Sequence, residues 1–107
     1  MATFDTSKIF AMDKSIEYTS GGIVSKLIVN SKGGNVTLFS FDKGQSLAEH
    51  SASYDALVQV IDGEVEITID AKPHILKKGD SIIMPANVPH AVNAVEPFKM
   101  ILTMIKN

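Results

Sequence analysis

Residues 79–92 read GDSIIMPANVPHAV. Within them SIIM, at 81–84, is a short apolar strand signal. It is broken by Pro85 and Pro89 and resumes at His90. Proline has no amide hydrogen to give to a ladder, so the two prolines interrupt the strand signal where no donor is required. Asn87, between them, tolerates positive φ better than most residues. The two-residue period of a strand then puts Val88, His90 and Val92 on one face.

Working outward, PHILKKGDSI (73–82) reads as a strand, a turn at Lys78-Gly79-Asp80 and another strand. His74, set among polar neighbours there, is expected at the surface. EVEITID (64–70) alternates Val65, Ile67 and Ile69 with polar residues, the pattern of a half-buried strand. ALVQVI (56–61) precedes it, and Asp62-Gly63 between the two predicts a tight hairpin. Two further strands, IVSKLIV (23–29) and VTLFSF (36–41), are split by the turn signal NSKGGN. FKMILTMIK (98–106) closes the chain with apolar residues on both faces, Phe98, Met100, Leu102 and Met104 on one, Ile101, Thr103 and Ile105 on the other. Burial on both sides follows, either by a subunit contact or swapped strand or by the chain's own N-terminal segment. Many short strands without long helical periodicity predict an all-β sandwich or barrel.

The bulk numbers narrow the classes. At 107 residues the chain fits a single domain, 1–107, with an N-terminal extension over about 1–15 and a barrel core over about 34–105. Net charge is −2, so the basic stripe that a phosphate backbone demands is missing and nucleic acid is not expected as a partner. There is no cysteine, which excludes disulfides, thiolate metal sites and a cysteine nucleophile. All ten basic residues are lysine, so bidentate arginine capture of a carboxylate or phosphate is impossible. No apolar h-region opens the chain and no apolar run approaches the roughly 20 residues of a membrane span, so a soluble cytoplasmic protein without membrane contact is expected.

Two spacings carry a family resemblance. In GQSLAEHSASYDALVQVIDG (44–63), Gly44 is followed six residues later by His50, and Gly63 closes the block. In the second, Gly79 is followed six residues later by Pro85 and five further on by His90. Together they resemble the two-part signature of the cupin superfamily, which implies an antiparallel double-stranded β-helix, the jelly-roll barrel of RmlC-like proteins, with Pro85 and Pro89 flanking a corner and Val88, His90 and Val92 facing inward. The resemblance also implies a metal centre of three histidines and a glutamate. His50 matches the first ligand position and His90 the last, but Ala52 stands at the second histidine position and Ala56 at the glutamate position. Ala94 replaces the asparagine that closes the second part, and Asn93, one place off, is turned away from His90 by alternation.

The expected site is therefore a cavity around His50 and His90, walled by Ala52, Ala56, Val88, Val92, Met100 and Met104. His50, His90 and Asp55 are the candidates for proton transfer, with Asp55 the best available partner to orient an imidazole. His50 and His90 are also the candidate ligands for one divalent metal (nickel, zinc, copper, iron or manganese) with an incomplete ligand set. Met84, Met100 and Met104 read first as adaptable core filler. Three functions stand open: a small-molecule-binding barrel with a weakly held metal, a metal-dependent dioxygenase or isomerase, and a structural module. A homodimer is expected.

Overall fold

The strand signals condense into nine strands in the computed structural model, which describes residues 4–106. Met1–Thr3 and Asn107, the ends of the expected 1–107 domain, lie outside the described residues. The strands are β1 (Ile23–Ser31), β2 (Gly34–Phe41), β3 (Ser46–His50), β4 (Ala56–Asp62), β5 (Glu64–Ile69), β6 (Lys72–Lys77), β7 (Ser81–Met84), β8 (His90–Ala94) and β9 (Phe98–Ile105). They form a five-stranded sheet, β1-β2-β9-β4-β7, and a four-stranded sheet, β3-β8-β5-β6. Every pairing is antiparallel, as expected of a jelly roll. The sequence alone did not single out β3, whose apolar content is one leucine and one alanine.

The core lies between the sheets. Val58, Val60, Phe41, Phe98 and Met100 from one meet Val65, Ile67, Leu76, Val92 and Ala94 from the other. Phe41 and Phe98 stack with ring centroids 4.6 Å apart and are fully buried. Each such side chain contributes roughly 1.5–3 kcal/mol by leaving water.

The expected hairpin at Asp62-Gly63 is not there. β4 pairs with β7 and β9, and β5 with β6 and β8, so Asp62-Gly63 is a corner at which the chain leaves one sheet for the other. The positive φ that marks tight hairpins is present (+78° at Gly63), but the absence of a side chain also answers a close approach. A β-carbon on Gly63 would lie 1.9 Å from the Pro97 carbonyl oxygen. The real short hairpins are at Lys32-Gly33, and at Asp70-Ala71, where both residues have positive φ (+50° and +64°).

Pro85 and Pro89 do flank a corner, between β7 in one sheet and β8 in the other. Asn87 has φ +63°, and its N–H donates to the Ala52 carbonyl at 2.7 Å. That bond ties the proline loop to the segment following β3.

β9 sits in the middle of the five-stranded sheet, between β2 and β4. Part of its outward face is covered by the chain's own N-terminal segment. Lys26 Nζ donates to the Ser15 carbonyl, Ser40 Oγ to the Glu17 carbonyl and Lys99 Nζ to the Asp13 carbonyl. The Tyr18 hydroxyl donates to the Asp62 carboxylate, and burial with that hydrogen bond pushes the phenol well above its ordinary range. Ile16 and Leu38 are buried on this face. The remainder stays open, with Val29, Ile83 and Ile105 each more than half exposed.

Candidate functional site

The register of β3 on β8 sets His50 directly opposite His90, after an irregularity between Leu47 and His50. Forty residues separate them in the chain, yet their ring centroids are 4.5 Å apart, edge to face at 67°. His90 is 5% exposed, held in an inner strand between β3 and β5, whereas His50 ends an edge strand and is exposed.

Backbone carbonyls settle both tautomers. His50 Nδ1 lies 2.9 Å from the Ala48 oxygen and His90 Nδ1 lies 3.2 Å from the Val88 oxygen. A carbonyl can only accept, so each Nδ1 carries a hydrogen, and in the neutral form of either ring Nε2 is the nitrogen with the lone pair. Among the described residues neither Nε2 has a protein partner, and no fully buried side-chain nitrogen or oxygen is left unsatisfied. The Nε2 atoms therefore face accessible space. Burial lowers the pKa of His90 below the ordinary imidazole value, and the neighbouring His50 adds to the same effect against the bond to Val88. A neutral His90 with an available lone pair is the form present near pH 7.

That accessible space is a cavity of about 90 Å3 between the sheets. His50, Ala52, Ala56, His90, Val92, Met100 and Met104 line it, together with Leu47, Met84 and Leu102. The last three were missed as wall residues, although alternation along β9 already groups Leu102 with Met100 and Met104. Leu47 was hidden because β3 itself went unread. Two expected residues are placed elsewhere. Val88 precedes β8 and does not line the cavity, because the strand period holds only from His90 onward. Asp55 lines a separate cleft of about 560 Å3 with Tyr54, Leu57, Ile83 and Ile105, and its carboxylate accepts the Ala86 N–H at 2.8 Å. It clasps the proline corner and orients neither imidazole. His74 is half-buried on the edge strand β6, with Nδ1 3.2 Å from the Ile67 carbonyl, and stands apart from the cavity.

The donors present do not match the metal set that the family resemblance implies. Ala52 and Ala56 do line the cavity beside the imidazoles, so methyl groups stand where a histidine and a carboxylate would coordinate. Among the described residues no three His, Cys, Asp or Glu side chains come together as a ligand group. Two imidazoles do not complete the shell of a divalent ion, which usually takes three protein ligands in catalytic zinc sites and oxygen donors besides for manganese. No described helix is long and apolar enough to cross a membrane.

The cupin domain model matches residues 37–105. Among solved structures, the chain is similar to a conserved protein of unknown function from Streptococcus pyogenes, with 35% identity, 97% of this chain and 91% of that one covered, and a TM-score of 0.92. It is 48% identical to a cupin 2 conserved barrel domain protein from Leptotrichia buccalis, at a TM-score of 0.88, covering 91% of this chain but only 47% of that one. A cupin superfamily protein from Desulfitobacterium hafniense shares 26% identity at a TM-score of 0.90, with 96% and 94% covered. No curated protein matches the chain.

Proposed function

Since this chain belongs to the cupin domain family, its function turns on what its barrel holds, and we propose that it is a small-molecule-binding barrel whose ligand is anchored by His50 and His90. The observation that carries this reading is the pair of Nε2 atoms, without protein partners among the described residues, on a mostly aliphatic wall. Such a wall rewards burial of an apolar or aromatic group, while the two lone pairs accept hydrogen bonds from one polar end. The size of the cavity limits the buried part. About 90 Å3 holds a few heavy atoms, against roughly 300–1,000 Å3 for drug-sized ligands. A five-membered azole or small phenol fits that description, or one end of a larger molecule entering beside the exposed His50.

A metal-dependent dioxygenase or isomerase is the alternative, and it requires substrate or solvent to supply the ligands that Ala52 and Ala56 do not. Self-association belongs to the favoured reading as well. The open part of the outer sheet face runs from Val29 through Val36, Thr103 and Leu57 to Ile83, one row across all five strands. An apolar row of that width suits a second copy of the same face.

Thermal melts with small azoles and phenols test the binding function. A ligand at a hundredfold excess over its Kd stabilises by about 2.7 kcal/mol, and His50→Ala is expected to abolish that gain. A fragment series that shifts the melt equally in the protein and in His50→Ala would reject the site. So would one that shifts neither melt and leaves the imidazole NMR signals unmoved.

A further inference from the structure

The geometry points to the His50–His90 cavity as a site for a monovalent soft metal ion, cuprous copper, held by the two imidazoles and by methionine thioethers. The inference rests on the reading of this cavity as a binding site and replaces the divalent ion that the family resemblance brings to mind.

The donor set is the first ground. Three methionines, Met84, Met100 and Met104, line the same 90 Å3 space as the two imidazoles. Their placement is specific. Ala56 on β4 pairs with Met84 of β7 on one side and with Met104 of β9 on the other. Residues directly opposite in antiparallel strands have Cβ atoms about 5 Å apart, on the same face of the sheet. The methyl group of Ala56 thus leaves a gap flanked by two flexible side chains that each carry a thioether sulfur one bond short of the tip. This is the position at which the family pattern carries a carboxylate. A charged oxygen donor has been exchanged for two neutral, polarisable ones nearby.

Charge is the second ground. The cavity brings together no group of three acidic or imidazole side chains among the described residues. A divalent ion would bring two uncompensated charges into a mostly apolar enclosure. The solvation penalty grows with the square of the charge, so a monovalent ion is far less costly there. The third ground is ligand preference. Thioethers and imidazoles are neutral donors that suit Cu(I), and sites of this softness select it over zinc or manganese. Both Nε2 lone pairs are available because both Nδ1 hydrogens are committed to backbone carbonyls, the outer-shell arrangement typical of metal-bound histidine.

The plain alternative is that the methionines only fill space. Anaerobic titration of the full chain with Cu(I), kept reduced by ascorbate and buffered by bicinchoninate, separates the two. The expected result is one copper per chain, with a sulfur shell beside nitrogen in the copper X-ray absorption spectrum. The double variant Met84→Leu/Met104→Leu, which conserves core volume, is expected to bind Cu(I) at least about tenfold more weakly and to lose the sulfur shell. A nitrogen-only shell, or an affinity indifferent to the double variant, overturns the inference. If the double variant does not fold, selenomethionine-labelled protein gives the same answer: a selenium scatterer at copper supports the site and its absence refutes it. Failure of Cu(I) to bind, while azoles still stabilise the protein through His50, rejects copper and leaves the binding barrel standing. Failure of both removes the two together.

Discussion

Substituting Gly63 by alanine tests the corner that hands the chain from the five-stranded sheet to the four-stranded one. Gly63 has φ +78°, where a β-carbon costs roughly 1–2 kcal/mol, partly offset by about 0.4–1 kcal/mol because alanine is less free in the unfolded chain. The added carbon would also stand 1.9 Å from the Pro97 carbonyl oxygen and 2.7 Å from the Phe98 α-carbon. Both are backbone atoms that no side-chain rotation removes, and Phe98 is itself fixed by stacking on Phe41. Forced overpacking of this kind typically adds about 1–3 kcal/mol. The terms sum to about 1–5 kcal/mol, centred near 3, a large share of the roughly 5–15 kcal/mol by which domains are stable. Gly44 supplies the control, with φ +81° and open space around the position of its missing β-carbon. Gly44→Ala is therefore expected to cost no more than about 1 kcal/mol. Urea denaturation reads the difference as a midpoint lower by about 1 M or more for Gly63→Ala, taking the usual slope of about 1–3 kcal/mol per molar. Equal midpoints for the two variants would refute the close approach at the corner.

Other outcomes follow from single residues. His90 has a lowered pKa in the folded protein, so between that value and 6.5 the unfolded chain binds more protons, and stability falls as pH falls. Denaturation midpoints from pH 8 to 5 should show this slope, at most about 1.4 kcal/mol per pH unit, and His90→Gln should remove that share of it. Ala71 sits at φ +64° in a two-residue hairpin whose second position favours glycine, so Ala71→Gly should raise stability by about 0.5–1 kcal/mol, visible as a Tm several degrees higher. Asp55→Ala leaves the Ala86 N–H without its acceptor and should lower stability by about 1 kcal/mol, while fragment binding at the imidazoles persists. Ile83→Asp on the open sheet face should leave a monomer in sedimentation and a melt that no longer depends on protein concentration.

The barrel was legible because corners and strands leave separate marks. Pro85, Asn87 and Pro89 announce a bend with a positive φ, and alternation in EVEITID announces a half-buried strand. Asp62-Gly63 misled because φ at a hairpin and φ at a change of sheet demand the same residue, and only the partner strands distinguish them. The imidazole pair was legible through the family spacing alone; no local pattern joins residues forty apart. Met100 and Met104 fell on the inward face by alternation along one strand. Met84 did not, because an apolar stretch of four residues has no readable phase. Asp55 was misplaced for a related reason: in the irregular stretch between His50 and Ala56 no period tells which way a side chain turns.

The two imidazoles differ in what holds them. His90 is braced by a neighbouring strand on each side, while His50 is the last residue of a five-residue strand with a neighbour on one side only. Short rim segments open at far smaller free energies than central ones. One ring is thus held from both sides and the other from one only. For the ligand proposed above, entry and departure would be paced by fraying at that rim, and stiffening the rim would lengthen residence time without a single new contact to the guest.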